Sequence, residues 1–505
     1  MTEQPPDPGT HERRIAGGAI AQQASQVVGV LAMLVVITVL GRTLTLSEFG
    51  VYGLLISIAS YVLIVQISVE GAAVRAIATA GTSGDRDSVF SSALVLYALA
   101  GVLCGLLVAA GGAALVGVLG IPAGLRDEAR EGVAALGVAI MFGWPFKVFQ
   151  DALRGAQRFG AASVAEVLAQ VAFVAGMLTL VALDAPLWAV IALGGSLPTL
   201  IGIASAIVLV TTRAGFRFRR ALVSRATMRE LARFSAGLSV IGVTDLIVYS
   251  LDRVVLAAFR NAATIGLYEA ASRPHNLVRQ LHGTLVLTVI PVASGYIAEG
   301  DEFRLRELIV RGTRYVMAVV VPVTVVLMML AGPILRVWLG DEFLPAEPAM
   351  VLFLSYWLIS SGTGVGTAML VAAGRVGELA RYAWAGALLN LALAVVLTPW
   401  LGLTGPVLAT AIQSVALFPW FLVLVRRHLP VRTAELAREA WLPAYTIGGA
   451  IALVLGAARL TLGLDSLAAV GAAATLALAA GWAAYYALYL NAGERNLIRS
   501  FLRRR

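Results

Sequence analysis

Three sets of ionisable residues sit at helical spacing within otherwise apolar sequence. His275, Arg279 and His282 follow an i, i+4, i+7 pattern, as do Asp245, Tyr249 and Asp252, and again Lys147, Asp151 and Arg154. At 100° per residue each set shares one helix face. An arginine flanked by imidazoles offers the donors that hold an anion in a low-dielectric site, and imidazole gains or loses a proton near neutral pH. Aspartates on a facing helix set the local charge or bind a coupling cation, H+ or Na+; no other cofactor and no metal site is expected. The same faces can instead zip two helices together, with Asp252 opposite Arg279 at matched depth. Both readings stand for His275, Arg279, His282, Arg253, Asp245 and Asp252.

Lys147 is the only lysine and neighbours Trp144 and Pro145. It reads as a snorkelling side chain with an interfacial ion pair, or as a cation at the inner end of its span that meets an anionic ligand. Glu70 and Arg75 close another apolar run in the same way. Gln22, Gln23 and Gln26 fit a polar vestibule, and Asn390 and Gln413 fit helix–helix hydrogen bonds. Cys104, the single cysteine, reads as a small buried apolar residue.

The elements that position these residues follow from composition. Only 13% of the 505 residues are charged and 59% are hydrophobic, against about 25% charged in soluble domains. Apolar runs long enough to cross a bilayer recur from end to end. They predict an all-α integral membrane protein with about 14 transmembrane helices, at 15–40, 49–69, 89–119, 132–151, 161–183, 187–212, 234–259, 273–297, 314–336, 348–372, 379–400, 403–425, 441–458 and 465–490. Most of the 38 Lys and Arg residues then fall in alternate loops and the tails. Arg213, Arg217, Arg219, Arg220, Arg225, Arg229 and Arg233 share one of these loops. By the positive-inside rule both termini are cytoplasmic. The net charge of +9 is thereby explained by contact with anionic phospholipids and calls for no nucleic acid.

The basic segment 213–233 divides the chain. Residues 1–14 form a cytoplasmic tail, 15–212 and 234–425 hold six spans each, 426–440 is a cytoplasmic loop, 441–490 adds two spans, and 491–505 is a basic tail. The two six-span segments echo each other. Phe49-Gly50-Val51-Tyr52 matches Ile265-Gly266-Leu267-Tyr268, and Ala156 to Gly160 matches Ala373 to Gly377, at nearly one offset. A parallel repeat of this kind lets two bundles rock about a midplane cavity.

Four motifs carry a resemblance: LGRTLTLSEFGVYG from Leu40, SLDRVVLAAFRNAATIGLY from Ser250, LRGAQRFG from Leu153, and GPILRVWLGDEFLPA from Gly332. In this order they resemble a Wzx-type polysaccharide-biosynthesis flippase of the multidrug/oligosaccharidyl-lipid/polysaccharide (MOP) exporter superfamily. The resemblance implies two pseudosymmetric six-helix lobes plus two C-terminal helices, working by alternating access. It implies a polyprenyl-pyrophosphate-linked oligosaccharide moved to the outer leaflet of a bacterial cytoplasmic membrane, alongside the polymerase and glycosyltransferases of the same pathway. The anion for Arg279, Arg253 and the histidines is then the pyrophosphate. A lipid II flippase and a MATE-like drug or cation antiporter are the alternatives; the latter typically stops at 12 spans.

Several activities are excluded. A nucleotide-binding phosphate loop needs Gly-Lys, and the only lysine follows Phe146. No zinc-protease or Ser-His-Asp arrangement emerges from four histidines. A membrane glycosyltransferase or polymerase is disfavoured because the external loops are short and lack a clustered carboxylate site. A non-transporting scaffold on a transporter fold is a third class, which would tolerate loss of Arg279 or Asp252.

Overall fold

In the computed structural model the described residues are 8–212, 215–461 and 463–496; side chains at 8–16, 19, 20, 237, 238 and 240–250 are outside the described set. The chain forms two compact units, Met1–Gly266 and Leu267–Arg505. The described residues contain helices and no strand.

The first unit holds α1 (Pro8–Thr43), α2 (Leu46–Thr79), α3 (Ser83–Leu106), α4 (Gly112–Val116), α5 (Arg126–Gly143), α6 (Lys147–Gly155), α7 (Phe159–Ala182), α8 (Leu187–Gly194), α9 (Leu197–Thr211) and α10 (Arg225–Phe259). It also holds the first turn of α11 (Ala262–Leu287). The second unit continues with the rest of α11, then α12 (Val289–Glu299), α13 (Glu302–Met329), α14 (Ala331–Trp338), α15 (Glu347–Ser360), α16 (Gly364–Ala372), α17 (Val376–Leu401), α18 (Thr404–His428), α19 (Thr433–Leu436), α20 (Leu442–Thr461) and α21 (Leu467–Leu488). Among the described residues, 12 helices are long and apolar enough to cross a membrane, or 13 if the bent pair α8 and α9 counts as one span. The expected seventh span lies in α10, part of which is outside the described side chains.

Several boundaries differ from the sequence expectation, each for a local reason. The run 187–212 is bent by 55° between α8 and α9, where Gly194-Gly195-Ser196 precedes Pro198, whose ring blocks the helical position of the carbonyl four residues back. The run 348–372 breaks between α15 and α16 at the Ser-Gly-rich stretch Ser361–Thr363. The break frees the Leu358 carbonyl, which accepts a hydrogen bond from Tyr445 Oη of α20 at 2.6 Å. Helix α11 begins well before 273, because Asn261 Oδ1 accepts from Thr264 N at 3.1 Å and caps it. In the same way Asp301 Oδ1 accepts from Arg304 N at 2.9 Å and starts α13.

The glycines of the repeated motif have a packing role within the first unit. Gly50 on α2 meets the start of α11 so closely that a Cβ would overlap the Ala262 carbonyl and stand 2.8 Å from Gly266 N. Gly266 in turn lies against Leu46 and Gly50. The repeat-related residues therefore touch each other, as small residues at membrane helix crossings do. The Phe-Gly motif also follows a capping box: Thr45 caps Glu48 N, and Glu48 returns a bond to Thr45 N at 2.8 Å.

Candidate functional site

The first unit buries a polar cluster drawn from five helices. Helix α6 contributes Lys147, Gln150, Asp151 and Arg154, which a 3.6-residue period places over neighbouring faces. Glu70 of α2 pairs with Lys147 at 3.2 Å and also with Arg154. Arg154 bridges on to Glu166 of α7 at 2.6 Å. Glu166 further accepts from Gln150 Nε2 at 2.7 Å and from Ser25 Oγ of α1 at 2.8 Å. Lys147 donates to Gln150 Oε1. Asp151 is fully buried and accepts from Tyr97 Oη of α3 at 2.7 Å, while its Oδ1 has no partner among the described residues. For Lys147, Arg154, Glu70 and Glu166 the ion pairs and hydrogen bonds offset the desolvation of a buried charge. Two cations, Lys147 and Arg154, are thus shared between two carboxylates, Glu70 and Glu166, and the network ties α6 to α1, α2 and α7.

The second unit holds a histidine–aromatic cluster. His275 is buried against α15, its ring centroid 5.1 Å from Phe353 and 5.4 Å from Trp357. Its Nδ1 lies 3.0 Å from the Phe353 carbonyl and 3.1 Å from Trp357 Nε1. The carbonyl requires a proton on Nδ1 and the indole requires its absence, so the two contacts alternate with the tautomer. His282 stacks on the same indole at 5.2 Å, and its Nε2 has no hydrogen-bond partner among the described residues. Its ring fills the space beside Gly364 at the start of α16. One turn upstream of His275, Arg273 and Glu269 pair at 2.5 Å.

Of the sequence-derived candidates, Lys147 and Glu70 fall in the cluster of the first unit and His275 and His282 in that of the second. Lys147 and Glu70 come together, but Glu70 turns to Lys147 and Arg154 rather than to Arg75. Arg75 is exposed and lies over the Phe234 ring, 4.6 Å from its centroid. This corrects the grouping of Glu70 with Arg75: the carboxylate faces inward, and the guanidinium is held by a cation–π contact. Lys147 is 5% exposed and covered by carboxylate and amide, so it does not snorkel. Both histidines face α15, whereas Arg279 between them is exposed. Asp252 is buried and Arg253 half-buried, both close enough for their charges to act on Tyr61 of α2. The expected Asp252–Arg279 contact joins different units and stays an expectation. Asp245 lies outside the described side chains, as does Tyr249. Gln26 is exposed, and its neighbour Ser25 makes the inward bond. Asn390 Nδ2 donates to Thr410 Oγ1 at 2.9 Å, joining α17 to α18 as its isolation in an apolar run suggested.

Sequence reasoning missed Glu166, Tyr97 and Gln150. Glu166 carried a readable signal: a lone carboxylate within an apolar span needs a partner, and Arg154 precedes it by little more than three turns of chain. Glu269, which directly follows the Gly-x-Tyr of the second motif, was missed as well.

The comparisons with known proteins agree with this architecture. Residues 39–348 match the family model described as polysaccharide biosynthesis protein. The uncharacterized membrane protein EpsK of Bacillus subtilis (strain 168) is 25% identical over 324 residues, 63% of this chain; the chain spans 64% of that relative's length. The solved lipid II flippase MurJ, in an inward closed conformation, is similar with a TM-score of 0.72 at 14% identity, over 95% of this chain and 99% of the other. An inward-facing multidrug resistance MATE family transporter of the MOP superfamily is similar with a TM-score of 0.67 at 14% identity, over 81% and 98%. At such identities the two structures establish the fold, that of the MOP transporters. The chain belongs to the polysaccharide biosynthesis protein family.

Proposed function

We propose that this protein is a flippase that carries a polyprenyl-pyrophosphate-linked oligosaccharide from the cytoplasmic to the outer leaflet by alternating access. The observation that carries the reading is a polysaccharide-biosynthesis sequence on a flippase and exporter fold. Its setting is the bacterial cytoplasmic membrane with both termini inside, its basic loops on anionic phospholipid and its product consumed by a polymerase. Arg279, which is exposed on α11, is the cation proposed to meet the pyrophosphate. The ion pairs around Glu70 and Arg154 are the proposed point at which H+ or Na+ coupling acts on the helices.

Lipid II is a second substrate reading, favoured by the wider overlay with its flippase, 95% of this chain against 81% for the drug transporter. Both substrates are lipid-linked saccharides, and that overlay counts against a drug. The test is deletion of the gene followed by quantification of lipid-linked repeats on each membrane face. The reading expects intact repeats to accumulate on the cytoplasmic side and polymer export to stop. Normal export with no accumulation overturns it.

A further inference from the structure

The motif that begins at Gly332 has no part in either cluster, yet it builds one wall of a cavity of about 340 Å³ in the second unit. Further lining comes from Arg459 in the last turn of α20 and from Leu464 and Asp465 in the connection to α21. The volume lies within the range of small-ligand sites and equals about eleven waters at ~30 Å³ each. On the proposed topology this cavity opens at the outer face.

Its chemistry selects among ligands. Arg336, Arg459, Glu347 and Asp465 line it, two guanidiniums against two carboxylates. Arg459 pairs with Glu347 at 2.7 Å, and Arg336 with Asp341 at 2.8 Å. A charged ligand would have to displace one of these partners, whereas a neutral one need not. The contact from Arg336 Nη1 to Asp465 is long, 3.4 Å, and the Asp465 side chain is 75% exposed, so donors and acceptors remain for a ligand with hydroxyls. Leu344 and Leu464 add the apolar surface against which the C–H face of a sugar ring packs. Gly332 makes room for the charges: a Cβ there would stand 2.5 Å from Glu347 Oε2 and 3.0 Å from Arg459 Nη2.

We infer that this cavity is a binding site for an uncharged sugar residue of the translocated glycan on the outer face. The assignment rests on the flippase reading above. It gives α20 and the connection to α21 a role, since they supply Arg459, Leu464 and Asp465 to the site.

The test uses the full chain in nanodiscs and saturation-transfer NMR. The probe is the free oligosaccharide released by mild acid from the host's polyprenyl-linked repeat. The wild type transfers saturation to the sugar protons. Leu344→Trp, which fills the cavity and keeps every ion pair, weakens binding at least tenfold, and Asp465→Asn weakens it severalfold, with unchanged melting temperatures for both. Equal binding by wild type and Leu344→Trp overturns the site, as does the absence of binding to a wild type that flips the lipid-linked form. Failure to flip any polyprenyl-linked saccharide would instead sink the flippase reading, and this site with it.

Discussion

Glu70 is the carboxylate on which the buried cluster of the first unit turns, because it meets both Lys147 and Arg154. Replacing it with Gln keeps the shape and removes the charge. At 3.2 Å and an effective dielectric constant of ~20, the Glu70–Lys147 attraction is about 5 kcal/mol before desolvation is counted. Removing one member of a buried pair typically costs ~3–5 kcal/mol, because the other charge is left uncompensated. The lower end applies here, as the Glu70 side chain is 18% exposed. Glu70→Gln should therefore destabilise by about 3 kcal/mol. Lys147→Met should cost less, since Arg154 still meets Glu70. In the double variant the stranded cation is gone, so its loss should fall short of the sum by at least ~1 kcal/mol. Sites without coupling add within ~0.5 kcal/mol. Equilibrium unfolding in nanodiscs measures the cycle. A second readout follows from Lys147 being the only lysine: an amine reagent should leave it unmodified in the wild type and label it in Glu70→Gln. Additive losses together with equal labelling would refute the pairing and the role given to Glu70.

Three further outcomes follow from the geometry. Gly50→Ala places a methyl group on the Ala262 backbone, which no side-chain movement relieves, so it should cost ~1–3 kcal/mol; an unchanged melting temperature would contradict the close approach of α2 and α11. Tyr445→Phe leaves the freed Leu358 carbonyl without its donor and should cost about 1 kcal/mol, read as a lower melting temperature with an unchanged fold. Burial alone would raise the Glu494 carboxyl, but hydrogen bonds from Tyr315 Oη and Asn491 N, with Arg314 beside it, hold it below the usual carboxylate range. A depressed carboxyl stabilises fully above its unfolded value of ~4.3 and loses that contribution as pH falls through its folded value. Acidification from about pH 5 should therefore lower the melting temperature more in the wild type than in Glu494→Gln.

The helices were legible because apolar length is a composition signal that survives tertiary context. Their ends and breaks were less so. Asn261 and Asp301 start α11 and α13 by capping, yet each sits in a polar stretch that also suits a loop. The break after Ser360 needed its partner Tyr445, which is remote in sequence. In the candidate site, helical spacing joined Lys147, Asp151 and Arg154 correctly on α6. Spacing carries no information on partners from other helices, so Glu70 was grouped with Arg75 at the end of its own run and Tyr97 and Ser25 stayed invisible, while the lone carboxylate Glu166 was legible but went unread. The histidines shared a face as expected, but only the structure shows that α15 occupies it. The repeat glycines were found as an echo in sequence; their contact gives that echo a physical cause.

The most direct measurement places the purified chain in proteoliposomes with a fluorescent polyprenyl-pyrophosphate oligosaccharide and follows its accessibility to a membrane-impermeant quencher. The account predicts protein-dependent exchange between leaflets, with Arg279→Ala slowing it at least tenfold. Leaflet exchange no faster than in protein-free vesicles, for this lipid and for lipid II alike, would contradict it.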